Sequence, residues 1–191
     1  MIAIFGRLKN CLSVVPAVFI VLLVAITCLM ACGTKKPPLS PESKAFKEEV
    51  GGIIRQMQAS LAKLVVQGNT AAINTVLESL SHETAGMCID CPYKTGVLNK
   101  DGILLTTFPN NEVVGRNFSS YKIVMEPLQK RRITQGGVFF PDGSKIYFIA
   151  APLLYDKKVV GVVVLALTPA DLEKKWHLHE KEFYAIDFNA P

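Results

Sequence analysis

Residues 145–167 read Lys145-Ile-Tyr-Phe-Ile-Ala-Ala-Pro-Leu-Leu-Tyr-Asp-Lys-Lys-Val-Val-Gly-Val-Val-Val-Leu-Ala-Leu167. Two apolar, β-branched-rich runs flank Asp156-Lys157-Lys158, which is the pattern of two strands joined by a tight turn. The first strand is expected to stop at Pro152, because proline has no N–H to give to a ladder. Just upstream, Val138-Phe-Phe140 turns at Pro141-Asp142-Gly143 into the same strand, a second hairpin. Further upstream, Thr95–Thr107 sets two apolar runs around Asn99-Lys100-Asp101-Gly102, a third hairpin. Between them Gly115-Arg-Asn-Phe-Ser-Ser-Tyr121 leads into a short helix through Met125 and Leu128.

Toward the N-terminus the apolar period changes from two to between three and four. Phe46, Val50, Ile53, Ile54, Met57, Leu61, Leu64 and Val65 form one stripe on a long helix. Gly51-Gly52 costs that helix about 1 kcal/mol per glycine relative to alanine and is a candidate bend. Gly68 and Asn69 stop it, and Thr70–Leu80 reads as a second helix with Ile73, Val76, Leu77 and Leu80 on its face. The stripe reads first as core packing against a sheet, and its near-heptad spacing also permits a homodimer seam. Helices first, then strands joined by tight turns, define an α+β domain: an antiparallel sheet of about five strands with a long N-terminal helix packed on it.

With the order in place, the residues resemble the Cache family, the extracytoplasmic PAS-like sensor domains of bacterial chemoreceptors and histidine kinases. The resemblance rests on Asn99-Lys-Asp-Gly-Ile-Leu, on Val114-Gly115-Arg-Asn-Phe-Ser119, and on Ile149-Ala-Ala-Pro-Leu153 followed by Val159-Val-Gly-Val-Val-Val164. These pieces stand in family order over residues 45–175. The resemblance implies a small metabolite, such as an amino acid, carboxylate or purine, bound between the sheet and its covering loops. The family often carries an Arg just after the turn that ends in Ser119; this chain has Tyr121, which speaks against a carboxylate clamp. Lys122, Arg131 and Arg132 are the nearest cations, and Tyr147, before the Ala-Ala-Pro turn, is the aromatic candidate for the pocket wall. The ligand-binding set is therefore Tyr121, Tyr147, Lys122 and Arg132, with Arg131-Arg132 also readable as a solvated helix end.

The first 31 residues hold two basic residues, Arg7 and Lys9, and no acidic ones, followed by an uncharged run from Cys11 to Ala31. A charged start, an apolar run and small residues at its end form an export signal. Leu29-Met-Ala-Cys32 resembles the lipobox of bacterial lipoproteins, which implies cleavage before Cys32 and acylation of its thiol. Several acyl chains, at about 0.8 kcal/mol per buried CH₂, would make a stable membrane anchor. An uncleaved transmembrane helix is the alternative, since about 20 apolar residues span a bilayer. Either reading puts the rest of the chain outside the cytoplasm, and Gly33 after the cysteine leans toward the outer membrane. Gly33–Ser43, with three prolines, two serines and two lysines, suits an extended tether, so residues 32–44 are read as lipidated cysteine and spacer.

Formal net charge is +5 for 191 residues, and without Arg7 and Lys9 the remaining 160 carry +3. That balance, with no Lys/Arg block interleaved with aromatics, gives no electrostatic support for nucleic-acid binding. Of five cysteines, Cys11 and Cys28 lie in the signal, and Cys88-Ile-Asp-Cys91 is the remaining pair. In an oxidising compartment the pair reads first as a local disulfide, then as a redox switch, and last as a metal site helped by His82. His177 and His179 belong to a segment, 176–191, read as a polar C-terminal tail, with Trp176 packing the domain edge. There is no Ser-His-Asp set, paired-carboxylate signature or phosphate loop, so no catalytic role, cofactor or metal is expected. No second apolar span, kinase or methyl-accepting helix follows the sheet, so a sensing role implies an envelope signalling partner. A thiol-redox or purely structural envelope role is the alternative.

Overall fold

The computed structural model describes residues 38–85, 94–110, 113–139 and 143–190. The signal segment, Cys32 and the Cys88/Cys91 pair lie outside them. Leu39–Pro191 is one compact unit. Its framework is a five-stranded antiparallel sheet in the order β2-β1-β5-β4-β3. The strands are β1 (Lys94–Asn99), β2 (Leu104–Phe108), β3 (Thr134–Phe139), β4 (Lys145–Tyr155) and β5 (Lys158–Leu167).

The strands of each expected hairpin pair, and two of the turns show a local reason, the third (residues 140–142) lying outside the described residues. Asp156 and Lys157, between β4 and β5, both take positive φ (48° and 62°), the left-handed pair whose twist suits a two-residue hairpin loop. Between β1 and β2, the Asn99 side-chain oxygen accepts the N–H groups of Asp101 and Ile103 at 2.9 and 3.0 Å, and Gly102 takes φ 77°. The Gly102 carbonyl accepts the Phe118 N–H at 2.8 Å, and a Cβ on Gly102 would lie 3.0 Å from the Ser119 nitrogen. The Asp-Gly turn and the Gly115–Ser119 segment are thus one docked unit.

Strand β4 does not stop at Pro152. It runs to Tyr155, with Pro152 opposite Val162. Its other neighbour, β3, pairs no further than Ala150, so at Pro152 that side of the strand is an open edge where a missing N–H breaks no ladder.

The long helix α1 (Pro41–Val66) begins at a Ser40 cap, whose hydroxyl accepts the Ser43 N–H at 3.2 Å, and runs unbroken through Gly51-Gly52. Its stripe, Phe46, Val50, Ile54, Met57 and Leu61, is buried in the larger core, while Lys44, Glu48, Arg55 and Lys63 face outward. Helix α2 (Thr70–Ala85) adds Ile73 and Leu77 to the same core. A nine-residue helix, α3 (Lys122–Lys130), covers the opposite sheet face.

The expectation of a polar tail is overturned. Residues 169–190 form α4 (Pro169–Trp176) and α5 (Glu180–Ala185), and Leu172, Trp176, Leu178, Phe183 and Ile186 are buried in the larger core. Thr168 and Asp171 cap α4 reciprocally. The Phe46 ring meets Trp176 edge-on at 4.9 Å, and Trp176 Nε1 donates to Glu49 at 2.8 Å. Gln135 donates to the carbonyls of Phe183 and Ile186 at 2.8 and 2.9 Å, tying the segment to β3. Apolar residues scattered among charges found partners on α1 and the sheet, and that burial outweighs the polar composition.

Candidate ligand-binding site

Along β4, successive side chains alternate between two buried faces. Tyr147, Ile149, Ala151 and Leu153 join the core under α1, whereas Phe148 and Ala150 turn to the α3 side. Strand β5 does the same, with Val163, Leu165 and Leu167 on one face and Val162 and Val164 on the other. Because both faces are covered, neither strand shows polar alternation, and both read as continuous apolar runs.

The α3 face is incompletely filled. Between it and its cover lies a cavity of about 320 Å³, at the lower end of the range that holds small organic ligands. Its floor comes from Gly96 and Leu98 of β1, Leu104 and Thr107 of β2, Ile146 and Phe148 of β4, and Val164 and Ala166 of β5. Its roof is Val113, Phe118 and Tyr121 from the segment before α3, with Ile123 and Val124 from α3 itself; Val138 of β3 closes one side. The docked Asp-Gly turn holds this roof, since backbone bonds run from Leu104 N–H to the Arg116 carbonyl at 3.0 Å and from Gly115 N–H to the Leu104 carbonyl at 2.8 Å. Gly96 and Ala166 keep the floor low; at Gly96 even a Cβ would come within 3.2 Å of the Leu104 side chain.

Polar groups in the wall are few. The Thr107 hydroxyl donates to the Pro109 carbonyl at 2.9 Å. Thr95 also borders the cavity, but its register opposite Phe108 and Leu165 sets its side chain on the α1–α2 face. Its buried hydroxyl, without a hydrogen-bond partner among the described residues, therefore faces away from the cavity. A bulge between Val97 and Leu98 in the β1–β2 register accounts for Leu105 and Thr106 both lying on that helix side, where the Thr106 hydroxyl bonds Asn74 of α2. No lining side chain among the described residues is charged.

Of the four ligand candidates, the structure puts one at the cavity. Tyr121 lines its mouth, 46 % exposed, with its ring 5.8 Å from that of Phe118. Tyr147 is on the wrong face: its ring packs 4.9 Å from Phe183 in the opposite core, while its neighbours Ile146 and Phe148 line the cavity. Strict alternation along β4 is the reason, and counting it from Val164 and Ala166 across the hairpin was the signal available in the sequence. Lys122 is exposed at the start of α3 and does not line the cavity. Arg132 is held at the surface by Glu126 at 2.9 Å, and hydrogen bonds from Lys130 and then Arg132 keep the Glu126 carboxyl below its ordinary range. Arg131 closes α3 in the left-handed conformation (φ 54°). His177 closes α4 in the same way (φ 52°), and His179 precedes α5 with its N–H donated to Glu182 at 3.1 Å. No group of three or more His, Cys, Asp or Glu among the described residues could hold a metal ion.

No protein-family model matches the chain, and no curated protein matches it. Solved structures do match its fold. The extracellular domain of vpHK1S-Z8, assigned as a histidine kinase, superposes with a TM-score of 0.57 at 14% identity, over 74% of this chain and 57% of that one. The sensory domain of the Campylobacter jejuni chemoreceptor Tlp3, solved with isoleucine bound, gives 0.54 at 12% identity over 69% and 56%. The ligand-binding domain of the Pseudomonas fluorescens chemoreceptor CtaA, in complex with L-serine, gives 0.52 at 15% identity over 70% and 57%. The chain spans little more than half the length of each of these structures. Its fold, a five-stranded antiparallel sheet with helices on both faces, is that of Cache-like sensor domains. No helix among the described residues is long and apolar enough to cross a membrane.

Proposed function

We propose that this chain is an extracytoplasmic small-molecule sensor, tethered to the envelope membrane by lipid on Cys32, that reports cavity occupancy to a partner protein and performs no chemistry of its own. The observation that carries the reading is the roofed cavity of about 320 Å³ on the sheet face away from α1. Its roof is a short helix and a loop held to the sheet by a few backbone bonds, so a ligand can order or shift it at small cost. Relatives in fold that bind isoleucine and serine support this reading by analogy. The lipobox-like Leu29-Met-Ala-Cys32 supports the anchor.

The test is a thermal-shift screen of the full chain in lipid nanodiscs against amino acids, carboxylates, purines and neutral organic molecules. A ligand present at a hundred times its Kd adds about 2.7 kcal/mol, a readily seen rise in Tm. A folded protein that no compound stabilises would remove the sensor reading. The intact mass of the same preparation reads the anchor, since cleavage and acylation at Cys32 change it and Cys32→Ser abolishes the change.

A further inference from the structure

We infer that the ligand of this cavity is a neutral, predominantly apolar small molecule, a ring or branched chain with no more than one hydrogen-bonding end. The inference rests on the sensor reading above and names the ligand class for that same site. An amino acid carries an ammonium and a carboxylate into the protein, and each loses its hydration there unless the wall supplies a counter-charge. The described wall supplies none: apart from the hydroxyls of Tyr121 at the mouth and Thr107 on the floor, it is built from valine, leucine, isoleucine and phenylalanine side chains with glycine and alanine in the floor.

The nearby cations do not change this. Lys130 and Arg132 are both engaged by Glu126, and Arg116, Lys122 and Arg131 are exposed outside the lining. The one hydroxyl on the floor, on Thr107, already donates its proton to the Pro109 carbonyl at 2.9 Å, so toward a ligand it is an acceptor only. It would take the proton of a single alcohol or N–H. Size agrees as well. An engineered apolar cavity of about 150 Å³ holds one benzene, and this one has about 320 Å³.

The test uses the full chain in lipid nanodiscs with isoleucine δ1 methyls labelled for NMR. Ile123 and Ile146 line the cavity, whereas Ile54 and Ile73 lie in the opposite core and serve as internal controls. The probes are cyclohexanol, cyclohexanecarboxylate, L-isoleucine and L-serine. The expected result is that cyclohexanol moves the Ile123 and Ile146 signals and leaves Ile54 and Ile73 in place. It should bind at least about tenfold more tightly than the carboxylate of the same ring. Ala166→Leu, which fills the floor, should weaken cyclohexanol by about tenfold or more, and Ala166→Val by less; unchanged Ile54 and Ile73 signals certify that each variant is folded. Tighter binding of the carboxylate or of either amino acid at those two methyls would overturn the neutral-ligand inference and leave the sensor reading standing. A cyclohexanol response undiminished in both folded variants would also overturn the inference. If no probe moves either methyl, the inference and the cavity's role as a sensor site fall together.

Discussion

The two faces of the sheet are made by the same strands, often by adjacent residues, yet one is a filled core and the other holds a cavity. Tyr147, Ile149, Leu153, Val163 and Leu165 meet Phe46, Val50, Ile54 and Leu61 of α1, and Phe183 joins them from the C-terminal segment. On the other side Leu98, Val162, Val164 and Phe148 meet α3 and the loop before it. The covers differ in reach. A helix of 26 residues, at about 1.5 Å per residue, lies over β4 and β5 with α2 over β2 beside it, whereas the nine residues of α3 have only about a third of that length. The short cover leaves apolar surface on the floor unmatched, and small residues at Gly96 and Ala166 deepen the gap. Packing is thereby concentrated on one face, and the cavity is left on the other.

The largest effect should come from the filled face. Phe183 is fully buried against Phe46 and Tyr147, so Phe183→Ala should cost about 3–5 kcal/mol in urea unfolding. A loss under about 1 kcal/mol would return residues 176–190 to the status of a tail. A matched pair sharpens the comparison further. Ala151 lies in the filled core and Ala166 on the cavity floor. Ala151→Leu should cost about 1–3 kcal/mol by overpacking, and Ala166→Leu should stay within about 1 kcal/mol of the parent. Equal losses would mean that the cavity closes up in solution and that the two faces do not differ.

The smallest effect belongs to the surface of α3. Glu126 is held below its ordinary carboxylate range by Lys130 and Arg132. A depressed folded pKa stabilises the protein above the unfolded value, and the contribution is lost as pH falls through the folded one. Glu126→Gln should therefore lower Tm slightly at neutral pH, and the difference should vanish in acid. A gap that persists below the carboxylate range would show that packing of this side chain, not its charge, steadies the roof.

Much of this arrangement was legible in residue order, and the misses share a cause. Hairpins depend on neighbours a few residues apart, Asn99 with Ile103 and Asp156 with Lys157, and the first helix stops at Gly68, which takes φ 65°. Tyr121 was singled out through the resemblance, as the residue standing where the family often carries an Arg after the turn that ends in Ser119. Tyr147 was misassigned because an aromatic in an unbroken apolar strand gives no hint of its face, and only the register across β5 decides it. The segment after Trp176 was misread because three apolar positions among charges, Leu178, Phe183 and Ile186, carry no period; the segment is held by Phe46 and Gln135, far away in the chain. Pro152 misled because its tolerance depends on where β3 begins, at Thr134, which pairs with Ala150.

Residue order settled the elements, their turns and the partners within each hairpin, because those choices turn on short loops and on local hydrogen bonds. It also settled that two strands are apolar on both faces, since no polar residue interrupts them. Packing settled three further things: that β1 lies beside β5, with Val97 opposite Val163; which face each side chain joins; and that one face is left partly empty. These follow from long-range pairing and from the combined volumes of residues on every wall. A cavity is what remains after all of those side chains have been placed, so no single stretch of the chain encodes it.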